Sequence, residues 1–322
     1  MLRRLAAAFI AITLAMPAIA QDYPNHAITL VVPFSAGGPT DTVARLLGHA
    51  MSKSLGQPVV VENVGGNGGT LGVERVAHAR PDGYTLLVMH TGISTSVSLY
   101  GNLSYDPEKD LDPVGLVAEV PMTMVARADF PPNDMKELTA YVKANKDKVT
   151  FAHAGLGSAS QLCGMLYLGS IDARVTAIPY KGTGPAMTDL IGGQVDFMCD
   201  QTINTTSQIK AGKVKAYAIT TKNRDAMLPD LPTFEESGFP GFDVTIWSGV
   251  WVPHGTPKAV IDKLVAALHA ALRDPEIVSR FGEAGAQPVA PERATPAALR
   301  DMLRSEIARW APIVRKNPAL RD

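Results

Sequence analysis

The sequence is poor in the residues that usually carry catalysis, metal binding or membrane insertion. It has two cysteines, 6% aromatic residues and a formal net charge of −1 over 322 residues. The near-neutral charge argues against nucleic-acid binding, which requires a basic face. The seven histidines are scattered, and no HxxxH or CxxC spacing occurs, so the sequence predicts no metal site. After the N-terminus, no apolar run is long enough to cross a bilayer.

The first twenty residues have the pattern of an export signal. Arg3 and Arg4 precede an apolar stretch from Leu5 to Met16, and Ala18-Ile-Ala20 forms a small-residue cleavage site before Gln21. An uncleaved membrane anchor is the alternative, but the apolar stretch is too short to span a bilayer. We therefore expect residues 1–20 to be removed and the mature protein to be periplasmic.

A glycine-rich loop between a strand and a helix is the most informative segment. The apolar run Ile28-Thr-Leu-Val-Val-Pro-Phe34 is followed by Ser35-Ala-Gly-Gly-Pro-Thr-Asp41 and then by apolar residues at helical spacing. Such a loop directs free backbone N–H groups, aided by the helix dipole, at a ligand above the strand end. The loop has no Lys, Arg or His, so backbone and hydroxyl donors would hold an anion there.

Strands and helices alternate along the chain, which predicts an α/β fold. A βαβαβ pattern up to residue 90 indicates a mainly parallel sheet. Crossings near residues 121–127 and 243–250 predict a two-segment hinge. We expect residues 1–20 to be the signal peptide, 21–122 with 246–322 to form a discontinuous first domain, and 123–245 to form the second.

The second half contains another glycine loop, at Gly155-Leu-Gly-Ser-Ala-Ser160, again between a strand and a helix. Open α/β sheets bind ligands at the carboxyl ends of their strands, so the two loops are expected to face one another and close on one anion. His90 and Thr91, at the end of the third predicted strand, are candidates for contacts with the distal part of a ligand. Trp247, near the second crossing, is interpreted as a core residue.

Several candidate residues have a structural interpretation beside the functional one. Asp41 either stabilises the helix dipole or contacts the ligand. Ser158 either only caps its helix or caps the helix and also contacts the ligand. Asp200 either holds a loop through its own backbone or lies in the cleft. Cys163 and Cys199 are either a disulfide of an exported protein or two buried thiols.

Three enzyme motifs were considered and are incomplete. The loop at 155–160 lacks the last glycine of G-x-S-x-G and has no evident base. The glycines at 65–69 do not satisfy G-x-G-x-x-G, and no Walker A lysine exists. Lys181 follows a strand and could in principle form a Schiff base, but a surface lysine beside a turn is the simpler interpretation.

Many ordered motifs make the mature chain resemble the extracytoplasmic solute receptors of tripartite tricarboxylate transporters, the Bug proteins. They are Tyr23-Pro24 with the segment 28–41, Leu55-Gly-Gln-Pro-Val-Val-Val-Glu-Asn63, Ala79-Arg-Pro-Asp-Gly-Tyr-Thr-Leu-Leu87, Pro179-Tyr-Lys-Gly182, Asp189-Leu-Ile-Gly-Gly-Gln-Val-Asp196 and Leu228-Pro-Asp-Leu-Pro-Thr233. The resemblance implies a type II periplasmic-binding fold, in which two α/β domains close by a hinge around a small carboxylate.

The resemblance also implies site residues, by position in the two loops. Together with His90 and Thr91, the expected ligand-binding set is Phe34, Ser35, Ala36, Gly37, Gly38, Thr40, Asp41, Ala154, Gly155, Gly157, Ser158, Ala159, Tyr180 and Asp200. The chain departs from the family pattern at Gln161, where His is frequent, and at Cys199-Asp200-Gln201, which replaces the commoner Phe-Asp.

The function that follows is a monomeric, non-catalytic receptor without a cofactor. It would capture an organic mono-, di- or tricarboxylate and deliver it to a membrane permease of two integral subunits. The alternatives are a periplasmic sensor that presents its closed form to a signalling partner, and an exported enzyme acting on an anionic substrate.

Overall fold

The structure is a computed structural model that describes residues 23–316. The expected signal peptide, residues 1–20, therefore lies outside the described residues. In the described part of the chain, no helix combines the length and the apolar character needed to cross a membrane.

Strands and helices alternate over most of the chain. The strands are β1 (Ile28–Val32), β2 (Val59–Asn63), β3 (Thr85–His90), β4 (Leu111–Arg127), β5 (Thr150–His153), β6 (Thr176–Pro179), β7 (Phe197–Gln201), β8 (Val214–Ile219), β9 (Thr245–Pro253) and β10 (Gln287–Pro288). The helices are α1 (Pro39–Leu55), α2 (Thr70–Ala77), α3 (Gly92–Leu99), α4 (Met135–Ala144), α5 (Ala159–Ser170), α6 (Thr183–Ile191), α7 (Thr202–Lys210), α8 (Lys258–Arg273), α9 (Pro275–Glu283) and α10 (Pro296–Lys316).

Helix ends follow local sequence chemistry. Helix α1 begins at Pro39, whose missing N–H costs nothing in the first turn, and ends at Gly56, which adopts φ 67°. Helix α4 begins after Asp134, whose side chain accepts a hydrogen bond from the Glu137 N–H at 2.8 Å. These caps fix where the connecting loops start.

Strand β4 connects two halves of the sheet. Its first part pairs antiparallel with β9 from Leu111 to Pro121, and its last part pairs with β7 and β8 from Met122 onwards. On one side the order is β2-β1-β3-β9-β4, and on the other it is β4-β7-β5-β6. Parallel pairing joins β2, β1 and β3, and likewise β7, β5 and β6.

The hydrophobic core is divided at the same place. One large cluster draws on residues up to Val120 and from Trp247 onwards, with Ala154 added, and a second cluster draws on Met122 to Ile246. We call these parts lobe 1 (residues 23–121 and 247–316) and lobe 2 (residues 122–246). This partition supports the predicted domain boundaries, which remain a proposal. Helix α10 reaches both lobes, because Trp310 packs with Leu162 of α5.

Candidate functional site

The first loop lies between β1 and α1 and is held by Asp41. One carboxylate oxygen of Asp41 accepts hydrogen bonds from the Gly37 N–H at 3.0 Å and from Arg45 at 2.9 Å, and the other accepts from Asn63 at 2.9 Å. Burial alone would raise the pKa of Asp41, but these bonds hold it below its usual value. Asn63 also donates to the Phe34 carbonyl at 3.0 Å. Asp41 therefore fixes the shape of the loop.

The second loop, between β5 and α5, is held in the same way by a neutral side chain. Gln161 is the third residue of α5, as Asp41 is the third of α1, and it accepts from the Gly157 N–H at 2.8 Å. Ser158 caps the helix by accepting from the Gln161 N–H at 3.3 Å, and Ser160 accepts from the Ala154 N–H at 2.9 Å. The two loops are thus local equivalents in structure, each held by the third residue of the helix that follows it.

Each loop is accompanied by a buried histidine at the end of a strand. His90 accepts the Gly92 N–H at its Nδ1 atom (3.0 Å) and stacks on Phe34 with ring centroids 4.9 Å apart. Burial lowers the pKa of His90 to about 4, so the ring is neutral and carries its proton on Nε2. His153 accepts the Gly155 N–H at 3.1 Å, and burial lowers its pKa as well.

The loops enclose a cavity of about 20 Å³ between the lobes. Its lining consists of Phe34, Gly38, Pro39, Thr40, His90, Ala154, Ser158, Ala159, Ser160, Thr183, Asp200 and Gln201. A cavity of this size has room for about one water molecule. A larger groove of about 740 Å³ lies on the outside of lobe 2, between α4 and residues 227–237, and includes no residue of either loop.

Four helices begin at the cavity. Its lining includes Thr40 at the start of α1, Ala159 at the start of α5, Thr183 at the start of α6 and Gln201, the N-cap residue of α7. Each helix N-terminus has unpaired N–H groups and about half a positive charge. Because the lining contains no Lys or Arg, these N-termini are its main source of positive potential.

Asp200 is the one acidic side chain of the lining. Its carboxylate accepts from the Gln201 N–H at 2.8 Å and from Asn204 at 2.5 Å, and Thr183 also donates to it. Desolvation outweighs these bonds and raises the pKa of Asp200 to about 6. Asp200 therefore keeps its proton to a higher pH than an ordinary aspartic acid does.

The lobes touch directly around the cavity. The Ser35 N–H donates to the Lys181 carbonyl at 2.9 Å, and the hydroxyls of Thr95 and Tyr100 donate to the carbonyls of Gly157 and Leu156 at 3.0 and 2.9 Å. The cleft is closed in this arrangement. A ligand of several carbon atoms would require the lobes to lie further apart than they do here.

Half of the residues predicted for the site line the cavity. Those that do are Phe34, Gly38, Thr40, His90, Ala154, Ser158, Ala159 and Asp200, and those that do not are Ser35, Ala36, Gly37, Asp41, Thr91, Gly155, Gly157 and Tyr180. Most of the second group shape the loops or the closure. The hydroxyl of Tyr180 instead donates to Asp189 at 2.7 Å, and Thr91 is buried with its N–H bonded to the Trp247 carbonyl at 3.1 Å.

Four lining residues escaped the sequence reasoning: Pro39, Ser160, Thr183 and Gln201. Pro39 and Ser160 are next to predicted residues. Thr183 follows Gly182 and begins α6, and Gln201 is the N-cap residue of α7. A search for every helix start at the carboxyl end of a strand would have found both.

Cys163 and Cys199 are joined by a disulfide, with their Cα atoms 6.0 Å apart. The bond connects α5, which begins at the cavity, to β7, which carries Asp200. Among residues 23–316, no group of three or more His, Cys, Asp or Glu side chains is arranged to hold a metal ion.

Comparison with known proteins places this geometry in a family. The family described as "Tripartite tricarboxylate transporter family receptor" matches residues 43–318. The structure of the periplasmic binding protein BugD is 53% identical in sequence, with a TM-score of 0.91, over 92% of this chain and 99% of that one. MatC from Rhodopseudomonas palustris with bound malate is 45% identical, with a TM-score of 0.88, over 91% and 100%.

A third solved structure, Rpa4515 of R. palustris with adipate, is 32% identical, with a TM-score of 0.87, over 92% of this chain and 99% of that one. These neighbours share the two-lobed periplasmic-binding fold, so the fold predicted from the sequence is confirmed. The chain belongs to the tripartite tricarboxylate transporter receptor family.

Proposed function

We propose that this chain is a periplasmic receptor that captures a small organic carboxylate between its two glycine loops. The observation that carries the proposal is the convergence of four helix N-termini on one enclosed cavity without a lysine or arginine. A carboxylate is the common anion that such neutral, fixed donors suit. Malate and adipate, the ligands in the two solved neighbours, are both dicarboxylates, which supports the same class here.

Closure of the lobes is the proposed binding step. One carboxylate would occupy the cavity while the loops stay in contact at Ser35 and Lys181, and the rest of the ligand would extend along the cleft, where the lobes would stand slightly further apart. Strands β4 and β9, which run between the lobes at Pro121 and Thr245, would form the hinge. The ligand would then shift the equilibrium from the open to the closed form, and the size of the shift would equal the difference in its affinity for the two forms.

The surrounding assignments follow from family membership and from the N-terminal sequence. Export through the signal at residues 1–20 would place the receptor in the periplasm. A two-subunit permease of the tripartite tricarboxylate type would receive the ligand. The family consists of solute receptors, and the site agrees with that role.

His90, the one histidine of the cavity lining, is not placed to act as a general base for the serines there. The Nδ1 atom of His90 already accepts the Gly92 N–H, so this histidine cannot take a proton from Ser158 in its neutral form. Ser158 contacts Ser160, with 3.1 Å between their hydroxyl oxygens, and caps α5. These contacts favour a receptor over an exported hydrolase.

A thermal-shift screen tests the proposal. The panel contains malate, succinate, adipate, citrate and aromatic diacids, with neutral sugars and simple amines as controls. A ligand at 100 times its dissociation constant adds about 2.7 kcal/mol of apparent stability. If sugars or amines raise the melting temperature and no acid does, the carboxylate proposal is wrong.

A further inference from the structure

Asp200 is an unexpected residue in a cavity for a carboxylate. It is 1% exposed and lines the cavity together with the four helix N-termini. The only other titratable side chain of the lining is His90. An ionised ligand placed there would meet a second carboxyl group and no cationic side chain.

The surroundings of Asp200 are uncharged on every side. Helix α6 presents Thr183, α7 presents Asn204, and on β4 the hydroxyl of Thr123 lies 3.4 Å from the Asp200 carbonyl. Across the cavity, β3 presents His90, which burial keeps neutral, and α5 presents Ser158. None of these neighbouring side chains carries a positive charge that could neutralise Asp200 and a ligand carboxylate together.

The size of the cavity forces close contact. Asp200 and the starts of all four helices line the same cavity of about 20 Å³, so a carboxylate held by those helix starts lies beside the Asp200 carboxyl group. Two carboxylates in contact in a buried site cannot both remain ionised, and the pair retains one proton. The four helix dipoles favour one negative charge there, shared across a short hydrogen bond.

We propose that Asp200 is a specificity-determining residue that binds the ligand carboxylate as a protonated acid, so that each ligand is bound together with one proton. The proton comes from solvent, and the product is a neutral Asp200 acid that donates a hydrogen bond to the ligand carboxylate. The inference rests on the proposed capture of a carboxylate. Burial raises the pKa of free Asp200 to about 6, so at pH 7 most molecules must gain the proton on binding.

Isothermal titration calorimetry tests this on the unmodified protein. The probe is whichever acid among malate, succinate, adipate, citrate and the aromatic diacids gives the largest thermal shift, titrated at pH 7 in buffers of different ionisation enthalpy. We expect an uptake of about 0.9 proton per ligand and an affinity that falls about tenfold per pH unit from pH 7 to 8.5.

Two variants sharpen the test. Asp200→Asn keeps an oxygen acceptor for Asn204 and offers an amide donor to the ligand, but it gives up the bond from the Gln201 N–H. It should bind the same acid more weakly, without proton uptake and with little pH dependence. The control Asp147→Asn removes an exposed carboxylate of lobe 2 and should keep the uptake of the unmodified protein. A variant that loses its thermal transition is discarded, because the proton count on the unmodified protein already decides the question.

The outcomes separate the two proposals. If no acid of the thermal-shift panel binds, the aromatic diacids included, the proposed function itself fails. If an acid binds without proton uptake, the role of Asp200 is overturned. A third outcome is binding that requires a ligand ammonium group, takes up no proton and is lost in Asp200→Asn. It would show that Asp200 binds the ammonium group, and it would also overturn the proposed role of Asp200 as a protonated acid.

Discussion

Gly184 offers a way to hinder closure without disturbing either lobe. It is the second residue of α6, and a Cβ added to it would lie 2.7 Å from the Ala36 carbonyl oxygen, 2.9 Å from the Gly37 carbonyl carbon and 3.0 Å from the Gly38 nitrogen. All three atoms belong to the first loop, on the opposite lobe. Since ordinary contacts begin near 3.4 Å, Gly184→Ala forces the lobes about 0.7 Å apart at this edge.

The expected loss of affinity follows from the bonds that this separation stretches. The hydrogen bond from the Ser35 N–H to the Lys181 carbonyl, now 2.9 Å, weakens, and donors of the first loop move away from the ligand. One neutral hydrogen bond and part of one charged hydrogen bond amount to about 1.5–3 kcal/mol. The dissociation constant should therefore rise roughly 10- to 150-fold.

The folded lobe itself should not be weakened, because alanine is a better helix residue than glycine by up to about 1 kcal/mol. The matched control is Gly169→Ala, an exposed position in α5 where an added Cβ meets nothing within 4 Å. Calorimetry gives the affinity, and thermal denaturation without ligand gives the stability. Gly184→Ala with unchanged affinity would show that the loops do not approach one another in the bound state.

Three further predictions concern the loop, the crosslink and pH. Gly38→Phe should abolish ligand binding and keep the thermal transition, because its Cβ would already lie 3.4 Å from Gly184 across the cleft; retained affinity would remove the loop from the site. Cys163→Ala with Cys199→Ala opens a crosslink between residues 36 positions apart and should lower the free energy of unfolding by about 3–4 kcal/mol in urea denaturation, whereas an unchanged midpoint would contradict the bond. The buried ring of His90 has its pKa lowered from 6.5 to about 4, so the unfolded chain binds the proton first and stability falls as the pH falls through this window. Between pH 6.5 and 4.5 the free energy of unfolding should therefore fall by about 2 kcal/mol less in His90→Asn than in the unmodified protein. An equal fall in both proteins would show that His90 is not buried as a neutral ring.

The local patterns in the sequence were enough to place both glycine loops. Helix α4 carries the marks of a helix in its sequence, because Asp134 precedes its start and apolar residues follow at helical spacing. The convergence of α6 and α7 on the cavity depends instead on how β5, β6 and β7 are ordered in the sheet. A pattern read along the chain does not contain that order, so Thr183 and Gln201 were missed.

Helix α3 shows a different limit of sequence reasoning. It was not predicted, because Gly92-Ile-Ser-Thr-Ser-Val-Ser-Leu99 consists largely of residues that compete with helical hydrogen bonds. In the structure the hydroxyls of Ser94, Thr95 and Ser96 donate to carbonyls three residues earlier, at 2.6–3.1 Å, and the helix is buried. Tertiary burial therefore overrides local propensity here.

Because the cavity lining has no Lys or Arg, backbone N–H donors at the helix starts would both hold the ligand and allow its release in the proposed receptor. In the closed arrangement lobe 2 contributes the starts of α5, α6 and α7 to the cavity, and lobe 1 contributes the start of α1. An anion held first on lobe 2 would gain a fourth helix N-terminus and lose its contact with water on closure, which draws the lobes together. When the lobes part, water returns to the same backbone donors, and no ion pair holds the ligand back. A lysine placed in the cavity, for example by Thr40→Lys, should therefore slow dissociation more than it speeds association, and stopped-flow measurement of both rates would decide this.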